Sequence, residues 1–444
     1  MLPMPALPLL ALLLAAPQPR SARVAALTAA VDPGRLQATV AKLVSFGTRH
    51  TLSETASETR GIGAARRWLE AEVKVLARAD GSRLQPYQDR FTAAPEPRIP
   101  RPVEIVNVGA VLPGVDPARA REAIVLTGHY DSRATDVMDA AGDAPGAVDD
   151  GSGVAMALEL ARVMARERPA VSVYFVAVAG EEQGLTGSAH LARRLRAEGI
   201  TVLAMVAADT VGNTEGIDGV KDDVSARLFS EGVPHGETDV QRKLREAIGS
   251  ENDGASRELA RYVKRVAERY VENLDLWVML RQDRIARGGD HMSFTREGSA
   301  AIRLTEAHEH YDRQHQLPRT EGGRAYGDDL AHLDARYLAK LTRGMAAAIG
   351  TLAAAPSAPR QVTLGGAVSP ETRLGIELPP DPRVAGLLLY RRRADAVAWE
   401  RIETYPRTDR IVLEGVVVDN GAFAVATTDA EGNESVPVHP GKLE

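Results

Sequence analysis

The sequence predicts an α/β protein: a mixed, mostly parallel sheet with helices on both faces, followed by a small C-terminal β-sandwich. Three observations carry this. Between residues 103 and 304, short apolar runs rich in Val, Ala and Leu alternate with segments of helical periodicity, the pattern of βαβ units covered on both faces. After PSAP at 356–359 the pattern changes to short alternating runs separated by turns, which marks an all-β unit. The 444 residues exceed one ordinary core, so about two or three domains are expected.

Taken in order, residues 1–22 read MLPMPALPLLALLLAAPQPRSA. The apolar core at 6–16, followed by small residues, has the shape of an export signal, although no Lys or Arg precedes it. It is too short for a permanent membrane anchor. Export to a periplasm or to the exterior is therefore expected. Residues 23–80 read as helical, with 31–46 and 63–77 the clearest stretches; Ala65, Trp68, Leu69, Val73 and Leu76 recur at helical spacing. Residues 84–101 are interrupted by Pro and read as extended. VEIVNVGAVL at 103–112 is strand-like and ends at a Pro-Gly turn.

A strand–helix rhythm follows. Strands are expected at 123–128, 171–179 and 202–208, with helices at 154–166 and 187–198. Residues 210–273 form a longer excursion with helices at 240–248 and 256–271. Strands at 274–280 and 300–304 and an amphipathic helix at 334–354 complete a domain spanning 23–355. Residues 356–359 are the linker, and 360–444 are the β-sandwich, with runs at 362–364, 373–378, 386–391, 410–414 and 421–427.

Composition narrows the function. The net charge is −6, with both signs interspersed and no basic block, which argues against nucleic acid. No later run is long and apolar enough for a membrane span. Cysteine is absent, which excludes disulfides and thiolate metal sites. Any metal must be held by His and carboxylates.

The chemistry gathers at strand ends, where open α/β sheets bind ligands. AVAGEEQGLTG at 177–187 places the adjacent carboxylates Glu181 and Glu182 just past a strand. Alone, the pair reads as solvated acids opening a helix. His129 and Asp131 follow AIVLTG, and side chains two apart in extended chain point the same way; alone, they read as a surface turn. GAVDDGSG at 146–153 offers Asp149 and Asp150, which alone read as a helix cap. Asp209 closes an apolar strand, a costly position unless the carboxylate is paired or ligated. TEAHEHYDRQHQ carries three of the chain's ten histidines: His308, His310 and His315. Together these residues suffice for two divalent ions sharing a carboxylate. An all-N/O set suits Zn²⁺, and a spare Glu could serve as general base.

The pieces TGHYDSR, GAVDDGSG, AGEEQGLTGS, AADTVGN, GGDHMSF and YDRQH, spread over about 100–320, resemble the two-zinc aminopeptidases of bacteria. That family also includes ectodomains like those of the transferrin receptor and glutamate carboxypeptidase. The resemblance implies a zinc-exopeptidase fold, peptide substrates and two zinc ions per chain. It implies that His129 and Asp209 bind one zinc, that Glu182 and His315 bind the other, and that Asp149 bridges them. Glu181 would be the general base, and Asp131 would orient His129. Where relatives place an Asp four residues after the last ligand, this chain has Arg319, and His310 is the alternative last ligand. Asp290 and His291 resemble a segment near the substrate pocket and take no metal role. FAVATTDAEGNES in the C-terminal unit resembles the final hairpin of a fibronectin type III domain, and nothing in it names a partner.

The expected activity is that of a metallo-exopeptidase, an aminopeptidase first. A zinc carboxypeptidase is the alternative, with Arg281, Arg284 and Arg287 as the basic pocket for a substrate carboxylate. So is another zinc hydrolase or acyltransferase of the same fold; a single-zinc cyclase would be expected to lose part of one ligand set. A non-catalytic, receptor-like ectodomain would lose ligands that this chain retains.

Overall fold

The structure, a computed structural model, describes residues 20–444. The export-signal reading falls almost wholly on residues 1–19, outside the described residues. Three helices come first: α1 (Ala22–Ala29), α2 (Pro33–Val44) and α3 (Gly61–Arg78). Helix α2 starts where Asp32 accepts the Gly34 N–H and Pro33 takes the first turn. Residues 45–60, expected to be helical, are instead a turn-rich segment. Its backbone runs past the site, and Arg49 is buried in it.

The main domain continues with β1 (Gln85–Ala93), β2 (Val103–Leu112), β3 (Glu122–His129), α4 (Gly151–Met164), β4 (Ser172–Val178), α5 (Thr186–Ala197) and β5 (Thr201–Ala208). Then come β6 (Ser225–Ser230), α6 (Asp239–Ile248), α7 (Ala255–Tyr270), β7 (Asp275–Met279), α8 (His291–Arg296) and β8 (Ala301–Glu306). A small hairpin, β9 (Arg319–Glu321) with β10 (Arg324–Tyr326), precedes α9 (Ala335–Ala354). The eight-stranded sheet has the order β1-β2-β4-β3-β5-β8-β6-β7. Its four central strands, β4, β3, β5 and β8, are parallel. The flanks are mixed: β2 runs antiparallel to β4, and β6 antiparallel to β8. The sheet is thus mixed, as the sequence predicts. Strand β6 escapes the sequence reading because SARLFS carries polar residues at both ends and no alternation.

Both faces of the sheet are covered. One apolar cluster joins α1, α2, α3, α4, α7 and α9 to the sheet, with Leu36, Leu160, Tyr262 and Leu341 buried in it. On the other face α5 and α8 pack through Leu191, Leu195 and Phe294 against Val125, Val176 and Met205. Two glycines bring α4 close to the strands. A Cβ at Gly153 would lie 2.0 Å from Ala208 O, and one at Gly128 would lie 2.3 Å from Gly153 C. Only glycine permits that approach, and it seats the start of α4 beside the ends of β3 and β5.

The remaining strands are β11 (Gln361–Gly365), β12 (Glu371–Glu377), β13 (Gly386–Arg393), β14 (Arg401–Pro406), β15 (Arg410–Glu414), β16 (Gly421–Thr428) and β17 (Lys442–Leu443). They form two sheets, β15-β12-β11-β17 and β14-β13-β16. Leu364, Leu374, Leu387, Leu389, Ile411 and Val425 form a core shared by both. Strand β14 was not legible in the sequence: it is a half-exposed edge strand ending in Pro. Tyr390 carries this unit onto α7. Its hydroxyl donates to Glu434 Oε2 at 2.6 Å, while Arg265 and Arg269 of α7 pair with Glu434 at 2.7 and 2.6 Å. Among the described residues no helix is long and apolar enough to cross a membrane.

Candidate metal centre

The four parallel strands deliver the candidate ligands at their carboxyl ends. His129 is the last residue of β3, Glu181 and Glu182 follow β4, Asp209 follows β5, and His315 lies in the loop after β8. Asp149 arrives on the turn before α4. Two groups of potential ligand atoms result, each within 4.8 Å: His129, Asp149 and Asp209; and Asp149, Glu182 and His315. Asp149 belongs to both. Its Oδ1 lies 3.1 Å from His129 Nε2, and its Oδ2 lies 2.9 Å from His315 Nε2. Glu182 Oε1 lies 3.1 Å from His315 Nε2, and Asp209 Oδ1 lies 3.9 Å from His129 Nε2.

His310, the alternative, joins neither group, whereas His315 joins the second. The bend that brings His315 inward needs a left-handed backbone, φ 55°, which sequence pattern does not reveal. His308 faces Asp218 and Asp222 instead. Asp290 and His291 are buried nearby, and His291 Nε2 donates to Gln282 O at 2.8 Å. Of the three arginines singled out, Arg284 and Arg287 line the cavity beside the metal groups, whereas Arg281 does not.

Three further carboxylates hold the ligand-bearing backbone. Asp131 accepts the N–H groups of Glu181 and Glu182 at 3.3 and 3.1 Å and the Thr51 hydroxyl at 3.1 Å. Its relation to His129 is two-fold: the Nδ1 of His129 lies 3.1 Å from the Asp131 carbonyl and 3.6 Å from its carboxylate. Asp150 caps α4 through Gly153 N–H at 2.9 Å, and it also accepts His129 N–H at 2.9 Å and Thr210 N–H at 3.2 Å. Asp150 is thus a helix cap, as its place before GSG suggests, and also a brace between the ends of β3 and β5. Asp328 accepts Val148 N–H and Asp149 N–H, each from 2.7 to 3.1 Å.

Sequence reasoning missed Asp328, and it missed two arginines. Arg49 donates to the carbonyls of Tyr130 and Gly146, tying the end of β3 to the Asp149 turn. Arg303 on β8 pairs with Asp209 Oδ1 at 2.8 Å. Neither had a sequence signal, because each is one arginine among many and its role comes only from burial.

The electrostatics are those of acids crowded together at the strand ends. Burial pushes Glu181 well above the usual carboxylate range against the pull of His129, and repulsion from Glu182 and Asp209 adds to the rise. Burial raises Asp209 to about 6 against the attraction of His129. Burial opposes protonation of His315, yet Glu182 and Asp149 raise it to about 10. Asp149 is held well below the usual range: burial opposes this, but His315 and His129 prevail. Glu182 Oε1 is buried with the His315 ring nitrogen 3.1 Å away. Such a set, all N/O, with acids that repel one another, two histidines turned toward them and a shared Asp, fits paired divalent cations.

The profile of peptidase family M28 matches residues 107–349. A Leptosphaeria maculans protein called a probable zinc metalloprotease is 39% identical over 94% of this chain and 96% of its own length. A Pyricularia oryzae protein of the same description is 44% identical over 75% of this chain and 67% of its own. This chain belongs to peptidase family M28 and is a peptide hydrolase. Among solved structures, the LapA aminopeptidase of Legionella pneumophila aligns with TM-score 0.51 at 20% identity, covering 74% of each chain. An aminopeptidase from Aneurinibacillus sp. strain AM-1 aligns with TM-score 0.50 at 16% identity, covering 73% of this chain and 95% of its own. These likenesses concern the fold.

Proposed function

We propose that this peptidase is an exported, two-zinc exopeptidase that releases N-terminal residues from peptides. The observation that carries the reading is the shared Asp149, with one carboxylate oxygen facing each histidine. His129 and Asp209 would hold one ion, Glu182 and His315 the other, and Asp149 both. When bound, paired zinc ions polarise a carbonyl and acidify water. Glu181 lines the same cavity as Asp149, Glu182, Asp209 and His315 but belongs to neither ligand group. Its raised proton affinity suits a residue that takes a proton from attacking water and returns it to the leaving amine. Asp131 fixes Glu181 through its backbone N–H, so the base is held on the same strand end as a ligand. The names of the fungal relatives support zinc, and the resemblance of the strand-end pieces to aminopeptidases supports attack from the N-terminus. Export rests on the apolar stretch at 6–16. Residues 360–444 read as a fibronectin type III-like unit, supported by their two sheets around one core.

The test is Glu181→Gln in the full chain. Metal content should stay near that of the parent, while hydrolysis of unblocked aminoacyl chromogenic substrates falls by at least about a thousandfold; general-base assistance contributes about 10²–10⁴-fold. A variant that keeps its activity, or that loses its metal, contradicts the assignment.

A further inference from the structure

The cavity beside the metal groups has about 450 Å³ and an unusual wall. Arg98, Arg133, Arg284, Arg287, Arg296 and Arg303 all line it. Among the described residues its larger apolar side chains are Leu185 and Met292, and no Phe, Tyr or Trp lines it. A pocket shaped for a leucine-like side chain is walled by apolar and aromatic groups; this one is not.

The acids nearby do not balance these arginines. Glu309 is a single carboxylate shared by Arg227, Arg284 and Arg287 at 2.7, 3.1 and 2.8 Å. Arg98 donates to the Glu182 carbonyl, and Arg133 to the carbonyls of Ala134 and Thr135, so neither is neutralised by these contacts. Arg303 leans on Asp209 and, at 3.7 Å, on Asp283. The remaining lining acids are Asp149, Glu181 and Glu182, and divalent cations would offset them. Arg284 is nearly buried and held by Asp283 Oδ1 at 3.1 Å and Gly288 O at 3.3 Å, so its guanidinium is already oriented. A preorganised guanidinium loses little freedom on meeting a planar carboxylate.

We propose that this arginine-lined cavity receives a substrate carboxylate close to the scissile bond, so that the peptidase selects anionic peptides. The inference rests on the exopeptidase reading above and adds the substrate class. The carboxylate has two possible sources: an acidic side chain at the N-terminal residue, or the free C-terminus of a very short peptide. Charge-assisted arginine–carboxylate contacts typically change an equilibrium by about tenfold to a hundredfold.

The experiment uses the zinc-loaded full chain. kcat/KM is measured for Glu and Gln anilides, for Asp and Asn anilides, and for dipeptides with free and amidated C-termini. The anionic member of at least one set should be preferred by about tenfold or more. Preference within the anilide pairs assigns the side chain; preference for the free dipeptide assigns the C-terminus. Arg287→Gln and Arg133→Gln should each cut that preference severalfold while neutral substrates change less than about threefold, a selective split that general damage would not produce. Glu309 keeps Arg227 and Arg284 in the Arg287→Gln variant, so this buried carboxylate stays paired. Equal rates within every pair overturn the proposal and leave the peptidase reading intact. If no substrate is turned over, succinate and succinamide are titrated calorimetrically into parent and Arg287→Gln proteins. Arginine-dependent preference for succinate then upholds the pocket while the exopeptidase reading fails; absence of that preference overturns the pocket too.

Discussion

Arg49→Met tests whether one buried guanidinium holds two sides of the metal centre together. Arg49 is fully buried. Its Nε donates to Tyr130 O at 2.7 Å, Nη1 to Leu43 O at 3.2 Å and Pro145 O at 2.5 Å, and Nη2 to Gly146 O at 2.9 Å. Burial lowers its pKa to about 10, with Asp328 and Asp131 opposing, so it remains a cation at neutral pH. Tyr130 sits between His129 and Asp131, and Gly146 opens the turn to Asp149. Methionine has similar reach and no donor. Four carbonyls each lose a donor; Gly146 O keeps Gly151 N–H at 3.0 Å and Leu43 O keeps Phe46 N–H at 3.3 Å. At about 1.5–3 kcal/mol per charge-assisted bond the gross loss is roughly 6–12 kcal/mol. Removing a buried charge returns several kcal/mol of desolvation, leaving about 3–5 kcal/mol net. Denaturant unfolding should show this as a lower midpoint at an unchanged slope. A competitive zinc titration should show about 10–100-fold weaker binding, as expected when an outer support of a metal site is lost. A stability change under about 1 kcal/mol with zinc affinity within about twofold refutes the reasoning.

Three other outcomes are expected. A strong chelator should abolish hydrolysis and lower the Tm, because bound metal at about a hundred times its Kd contributes about 2.7 kcal/mol; zinc should restore both, and full activity after verified metal removal contradicts the metal reading. Glu434→Ala strands Arg265, Arg269 and the Tyr390 hydroxyl at the contact between α7 and the C-terminal unit, and should cost about 3–5 kcal/mol in denaturant unfolding; a change under about 1 kcal/mol would show that this contact carries little. Asp381 is held at about 2: burial opposes ionisation, but Arg383 and the N–H groups of Ser357 and Arg383 outweigh it. A depressed carboxyl stabilises the fold above its unfolded pKa, near 4, and loses that contribution as pH falls toward 2. Asp381→Asn should therefore destabilise by about 1–2 kcal/mol at pH 7, and the deficit should shrink below pH 4; a deficit independent of pH would place its origin elsewhere.

Long apolar or amphipathic elements were legible because burial on a regular lattice imprints a period. Strand β2 occupies Val103–Leu112, the same run that its Val and Ile content marks. Helix α9 at Ala335–Ala354 follows its amphipathic spacing almost to the residue. Polar or edge elements left no such imprint. Strand β6 is buried but written in Ser and Arg, and β14 is half exposed, so neither alternates cleanly. The turn at 45–60 took helical signal from its neighbours while serving Arg49.

By itself the sequence determined which chemical groups the chain offers at strand ends: His129, Glu181, Glu182 and Asp209 follow apolar runs that must end where the sheet ends. It also marked a change of pattern at 356–359, after which the strands belong to two smaller sheets. Only the tertiary structure decided how those ends converge. Parallel pairing of β4, β3, β5 and β8 lines them up, the α4 turn swings Asp149 between two histidines, and a left-handed residue brings His315 rather than His310 inward. The arginine wall follows the same rule. Residues between Arg98 and Arg303 meet around one cavity because side-chain convergence depends on packing in three dimensions, which no local period records.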